Sequence, residues 1–320
     1  MSARLLEVSG LRTHFFTKAG VVKAVDDVSL GVDRGRVLGL AGESGSGKSM
    51  TGYSILGLVD APGRIVAGSI QLNGVELTTL DEHAWRNIRG NRVAMVFQDP
   101  MMTLNPVLRI DTQMIEAVRA HHDVTRSTAR ERCREALVRV GIASPDERLQ
   151  AYPHQFSGGM RQRVAIAIAL VNKPDLIIAD EPTTALDVTI QGQILHEMQR
   201  LCRESGTALI WITHDLSVIA GLADEVCVMY AGRIVESGTV DEVLDHPMHP
   251  YTHGLLDSVP SRNEPGRPLT QIRGMTPSLL RLGEACAFRD RCSRPVDACR
   301  EAPPVQRSGS RALRCVNPLA

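Results

Sequence analysis

Lysine is nearly absent from this chain. Only Lys18, Lys23, Lys48 and Lys173 stand among 36 basic residues, and the rest are arginines. A coding bias toward arginine accounts for that ratio, which makes Lys48 notable as a lysine kept where a compact ammonium is wanted. Excess charge is missing too. Basic and acidic residues balance at 36 each, so nothing global argues for a nucleic-acid partner. No long apolar run exists: the longest helical ones, such as Val164 to Val171, fall far short of the roughly 18–20 residues that span a bilayer. The start, Met1-Ser2-Ala3-Arg4, lacks the charged-then-apolar pattern of a signal peptide. These absences predict a protein that is soluble or peripheral to a membrane. Cysteine is sparse until the end. Of seven, Cys133, Cys202 and Cys227 are isolated and read as inert buried thiols, while four crowd the last 35 residues. No internal repeat or low-complexity segment is found.

What the chain does have is Gly42-Glu43-Ser44-Gly45-Ser46-Gly47-Lys48-Ser49. It fits G-x-x-x-x-G-K-[ST], follows the apolar strand-like run Val37 to Ala41, and precedes the helix-compatible Met50 to Leu58. Glycines let backbone N–H groups converge on phosphate oxygens, and the helix N-terminus adds positive potential. Lys48 is expected to reach the β- and γ-phosphates, and the Ser49 hydroxyl to sit on Mg²⁺.

Around this loop, Leu5 to Leu30 read as β-rich, and Ile65 to Leu77 as a hairpin turning at Asn73-Gly74. Val93 to Phe97 is a buried strand. From Pro106 to about Val171 the spacing is helical, over 112–120, 127–140 and 159–171, with Ser127 as a candidate N-cap. Strands and helices then alternate, at 176–179, 188–204, 208–213, 216–222, 226–230 and 233–236. That alternation predicts an α/β fold with a parallel core sheet, ligands at the strands' carboxyl ends, a β-rich N-terminal subdomain and a helical insertion. Beyond His246 the prolines multiply and the periodicity fades, which predicts an irregular, cysteine-containing extension.

Two further stretches carry chemistry. Leu176-Ile177-Ile178-Ala179 delivers Asp180 and Glu181 at the end of an apolar strand, where Asp180 suits the Mg²⁺ shell and Glu181 can take a proton from an attacking water. Phe156-Ser157-Gly158-Gly159-Met160 opens a helix with bare amides, a second anion site. One chain cannot easily place both anion sites on one γ-phosphate; two chains packed head to tail can.

These motifs resemble the ATP-binding subunits of the ABC transporter superfamily, over nearly the whole chain, and in detail the oligopeptide/dipeptide importer ATPases. Gly42–Ser49 matches Walker A, Ile177–Asp180 Walker B, and Glu181 the catalytic glutamate. Ser157-Gly158-Gly159 matches the signature core, with Phe156 and Met160 replacing the commoner Leu and Gln. Gln98 matches the Q-loop glutamine, implied together with Ser49 and Asp180 at Mg²⁺. Ala185-Leu186-Asp187 matches the D-loop, and His214 the switch histidine on the γ-phosphate. Phe15 matches the aromatic that stacks on adenine, with Phe16 the runner-up. Glu181 to Thr189 and His249-Pro250-Tyr251-Thr252 carry the peptide-importer branch.

The resemblance implies a nucleotide-binding domain over 1–245, with a helical subdomain at about 106–172, and a branch-specific extension over 246–320. It implies an ATPase on the cytoplasmic face of the cell membrane. Its partners would be a second ATPase (a related chain, or a copy of this one), two permease subunits and an extracytoplasmic binding protein. Alternatives are nickel or another small solute as cargo, or a soluble ABC ATPase without a permease. The latter would be expected to carry tandem cassettes or a long coiled-coil or basic insertion, and this chain has neither.

Cys286, Cys292, Cys299 and Cys315 lack the C-x₂₋₄-C knuckle usual for zinc, and a cytoplasmic ATPase disfavours disulfides. A set of thiolates suits an iron–sulfur cubane. The resembling subunits carry a cluster in this region, so the resemblance implies a 4Fe-4S cluster, with Zn²⁺ as the alternative.

Overall fold

The computed structural model describes residues 4–184, 186–263 and 266–319. In chain order the elements are β1 (Leu6–Thr17), β2 (Gly20–Val32), β3 (Val37–Ala41), α1 (Lys48–Ile55), β4 (Gly63–Leu72), β5 (Val75–Glu76), α2 (Glu82–Ile88) and β6 (Val93–Val96). There follow α3 (Ile110–Arg119), α4 (Arg126–Arg139), α5 (Pro145–Gln150), α6 (Gly158–Leu170), β7 (Leu176–Asp180) and α7 (Val188–Ser205). The series ends with β8 (Ala208–Thr213), α8 (Leu216–Leu222), β9 (Glu225–Tyr230), β10 (Arg233–Thr239), α9 (Val240–Leu244), α10 (Pro250–Asp257), β11 (Gln306–Ser308) and β12 (Arg311–Leu313). The chain divides into two compact units, one taking residues up to Val32, Val37–Thr78 and Trp211 onward, the other Asp33–Arg36 and Thr79–Ile210.

In the first unit, an antiparallel sheet runs in the order β2-β1-β4-β5. Its β4–β5 turn needs positive φ at both central residues, and Asn73 (49°) and Gly74 (77°) supply it. The unit also holds β11-β12-β10-β9-β3 as hydrogen-bonded neighbours, with β3 parallel to β9. Every residue of β3 is buried, as befits a strand covered on both faces. Ala41, Ile219, Val228, Tyr230, Tyr251 and Phe288 belong to one apolar cluster, so residues after His246 contribute to the core that surrounds β3 and β9.

The second unit pairs β6 parallel to β7, Val93 opposite Leu176 through Val96 opposite Ala179. Asp175, just before β7, accepts hydrogen bonds from Arg92 and, at 3.1 Å, from Arg34. Around this pair lies the helical segment, with α4 packing against α3, α5 and α6.

The structure departs from the sequence-based expectation in three places. The N-cap of α4 is Thr125, whose hydroxyl accepts from the Thr128 amide at 3.2 Å, and not Ser127, which sits inside the first turn. The short helices α2, α5 and α9 have too few residues to show a period in the sequence, and they form nonetheless. Order also continues after His246: α10 forms there, and β12 adds to β10 with Glu236 opposite Leu313.

Candidate ATP site and signature helix

In the first unit, β3 runs into the loop and the loop into α1. Gly42 has φ 150°, and a Cβ there would lie 2.2 Å from the Met229 carbonyl oxygen. Gly47, the N-cap of α1, has φ 103°, and a Cβ would lie 2.4 Å from the Ala24 carbonyl oxygen. Glycine is therefore required at both, and the backbone is drawn tight against β2 and β9. Lys48 is only 5% exposed. Its ammonium donates to the carbonyls of Gly42 (2.8 Å) and Glu43 (3.0 Å), folding back over the loop. The Ser46 hydroxyl is buried without a hydrogen-bond partner, a polar atom that a ligand would satisfy. Ser44 and Gly45 are exposed at the crown, and Ser49 is half-buried in the first turn of α1. A tight glycine cradle, a buried ammonium and an unsatisfied hydroxyl fit a polyphosphate.

Phe15 is half-buried, and a Cβ on Gly63 opposite it would come within 2.6 Å of its ring. Phe16 is 40% exposed with the Arg64 guanidinium 4.3 Å from its ring centre. His214 is exposed just after β8, beside Asp215, which caps α8 by accepting from the Ser217 amide at 2.9 Å.

In the second unit all of β7 is buried, so Asp180, 5% exposed, is a carboxylate carried to the end of an apolar strand. Glu181 follows with φ 44°, a left-handed conformation that costs a non-glycine residue energy and concentrates at functional sites. Its carboxylate accepts from the Thr184 hydroxyl at 3.1 Å and the Gln98 amide at 3.4 Å. The fold thus brings Gln98 and Glu181 together, from the ends of the adjacent strands β6 and β7.

Ser157 is the N-cap of α6, its hydroxyl accepting from the Met160 amide at 3.3 Å, and Ser157 and Gly158 are exposed. Phe156, 3% exposed, anchors the turn beneath them, with the Arg148 guanidinium 5.8 Å from its ring centre. Asp187 caps α7 by accepting from the Ile190 amide at 2.9 Å. Gly159 leaves room for that helix, since a Cβ there would lie 2.9 Å from Ile190. A cavity of about 560 Å³ is lined by Ser157, Gly158, Gly159, Met160, Arg163 and Asp187, so the start of α6 and the cap of α7 line the same space. Ala185 lies outside the described residues.

Cys133, Cys202 and Cys227 are buried, and burial pushes each thiol up to about 12, which makes them inert near neutrality. Cys299 and Cys315 are buried, Cys286 and Cys292 half-buried, and all are free thiols. Burial, and then the charges of the other cysteines in the set, raises the pKa of Cys286, Cys292 and Cys315. The Cys286 amide donates to the Cys299 carbonyl at 3.0 Å, which brings those two positions together. Among the described residues, however, no group of three or more His, Cys, Asp or Glu side chains is arranged to hold a metal ion.

One contact has no signal in the sequence. Tyr251, which the sequence marks only as part of a branch-specific stretch, accepts a hydrogen bond from the Glu43 amide at 2.9 Å, across 208 positions of sequence. No local pattern announces such a pairing.

The ABC transporter family profile matches residues 25–184, and the profile of the oligopeptide/dipeptide transporter C-terminal region matches 235–299. The chain is 46% identical to the oligopeptide transport ATP-binding protein OppD of Escherichia coli over 98% of its length and 94% of that protein's. It is also 46% identical to the oligopeptide transport ATP-binding protein AppD of Bacillus subtilis, over 97% of its length and 96% of that protein's. Among solved structures, the dimeric post-hydrolysis ATP-binding cassette MJ0796 bound to ADP and Pi superposes with TM-score 0.66 and 25% identity, over 73% of this chain and 98% of that one. By these matches and by its loop, strand-end carboxylates and signature helix, the chain belongs to the ABC transporter family as an ATP-hydrolysing subunit, in the branch with the oligopeptide/dipeptide C-terminal region.

Proposed function

We propose that this chain powers uptake of di- and oligopeptides, from the cytoplasmic face of a membrane that it touches but does not cross. Support comes from relatives that share the cassette and the C-terminal region and are named as oligopeptide transport subunits. No helix among the described residues is long and apolar enough to span a bilayer, so the translocation path would belong to two permease subunits, fed by an extracytoplasmic binding protein. A surface suited to those subunits follows Gln98, where Met101, Met102 and Val107 are exposed, Met102 at 74% and Val107 at 75%.

The observation that carries the catalytic reading is Glu181: a strained carboxylate at the end of a buried strand, hydrogen-bonded to Gln98. Glu181 takes a proton from the attacking water, and Lys48 and the loop amides bind the phosphates. Roles at Mg²⁺ for Ser49, Gln98 and Asp180, at the γ-phosphate for His214 and at adenine for Phe15 are assigned from the motifs. Mg²⁺ supplies charge neutralisation on the phosphates.

The exposed signature turn and its cavity support a dimer in which each ATP lies between one chain's loop and the other's Ser157 helix, the partner being a related ATPase or a second copy. We assign residues 1–245 to the cassette, with the helical subdomain at about 106–172, and 246–320 to the extension. Cys286, Cys292, Cys299 and Cys315 are proposed to hold a 4Fe-4S cluster, Zn²⁺ being the alternative. Four free thiols are a ligand set that suits either. Bound metal would supply ordering free energy to the extension.

The test is Glu181→Gln in the purified complex. ATP binding is expected to persist while turnover falls by roughly 10²–10⁴, the scale for losing a general base. Unchanged hydrolysis would remove Glu181 from that role.

A further inference from the structure

Glu43, the second residue of the phosphate loop, is held from three sides. Its amide donates to the Tyr251 hydroxyl at 2.9 Å, its carbonyl accepts from Lys48 at 3.0 Å, and its carboxylate is gripped by Arg291. The grip is a two-pronged fork, Nη1 to Oε2 at 2.6 Å and Nη2 to Oε1 at 2.9 Å. Arg291 is itself fixed: Nε donates to the Arg273 carbonyl at 2.9 Å and Nη1 reaches the Tyr230 hydroxyl at 3.3 Å. Its side chain is 7% exposed and that of Glu43 25%, so the pair is largely sheltered from solvent screening. The Tyr251 ring is wedged between Tyr230 (centroids 4.6 Å apart) and Phe288 (5.3 Å), which sets the height of its hydroxyl beneath the loop.

A carboxylate at the mouth of a phosphate cradle opposes a triphosphate unless a cation offsets it. Lys48 cannot do both jobs. When it turns to the phosphates it releases the Gly42 and Glu43 carbonyls; the Glu43 carbonyl keeps the Ser46 amide at 3.2 Å, but its amide and its carboxylate are held by Tyr251 and Arg291 of the extension. We propose that Arg291 and Tyr251 are positioning residues for ATP: Arg291 neutralises and pins the Glu43 carboxylate, Tyr251 fixes its amide, and the C-terminal extension is thereby a working part of the nucleotide site. This gives the His-Pro-Tyr-Thr stretch a physical task. The inference rests on the reading of Gly42–Ser49 as the phosphate loop.

Calorimetric titration of the full-length chain with MgATP tests it, with thermal unfolding followed in parallel. Arg291→Gln is expected to weaken ATP binding about tenfold, equivalent to ~1.4 kcal/mol, by unmasking Glu43. The double variant Glu43→Gln/Arg291→Gln is expected to recover the affinity, a rescue that a merely structural arginine would not permit. Wild-type affinity in Arg291→Gln, or equal loss in the single and double variants, overturns the proposal. Should Arg291→Gln not fold, Glu43→Gln alone decides: binding at least as tight as wild type supports charge unmasking, and a tenfold loss refutes it. Lys48→Ala separates the two layers. If it abolishes binding while Arg291→Gln does not weaken it, only this inference fails; if it binds normally, the loop reading fails and this inference with it.

Discussion

His249 is 2% exposed, with its Nδ1 accepting from the Tyr251 amide at 3.0 Å. Burial pushes its pKa down to about 4, below the 6.5 of a free imidazole, so the folded state resists the proton that the unfolded chain accepts. Between those values the unfolded state holds more protons, and stability rises with pH. It is fully present above about 6.5 and is lost on acidification toward about 4, with a slope of up to ~1.4 kcal/mol per pH unit. Urea midpoints at pH 7 and pH 5 should therefore diverge in the native protein, and the divergence should shrink in His249→Gln; an equal slope in both would assign the acid sensitivity elsewhere. Glu181 shows the complementary cost at this scale. Its left-handed backbone, φ 44°, costs a non-glycine residue energy.

At the scale of elements, α6 presents a serine-capped, solvent-exposed start. Ser157→Arg would place a bulky cation where, in the proposed dimer, a partner's γ-phosphate would meet bare amides. It is expected to abolish ATP-driven dimerisation in size-exclusion measurements while single-chain ATP affinity stays near wild type. A collapse of that affinity instead would mean that the signature serves its own chain's nucleotide. Elements also mark where sequence reasoning reaches and stops. The loop, β7 and α6 are legible because their constraints are local: glycines at φ that only glycine tolerates, a continuous apolar run, a serine before an amide-rich turn. The N-cap of α4 misleads because hydroxyls at Thr125, Ser127 and Thr128 compete within a single turn, and only backbone geometry chooses among them. The tail misleads for another reason. Its prolines do interrupt periodicity, yet Phe288 and Leu313 reach buried positions by contacts distant in sequence, and Arg314 locks on through the Val235 carbonyl at 2.8 Å. Nothing local to residues 286–315 advertises those partners.

For the molecule as a whole, the cysteine-bearing extension is the feature most open to a direct chemical test. Protein purified without oxygen should be brown, with the broad visible absorption of thiolate-to-iron charge transfer. Changing any of Cys286, Cys292, Cys299 or Cys315 to Ser should bleach it and render the extension protease-sensitive, while Cys133, Cys202 and Cys227 should be silent. Colourless protein with one tightly bound zinc would shift the site to Zn²⁺, and an ordered extension free of metal would defeat both assignments. The hairpin at 306–313 has a consequence of a different kind. β12 occupies the open side of β10, and β11 beyond it is three residues long with Gln306, Arg307 and Ser308 all exposed. A short, polar strand bearing a cation is a poor template for another chain's backbone. The hairpin thus acts as a selvedge, closing the fabric of the first unit's sheet so that it neither frays nor gains strands from neighbouring copies.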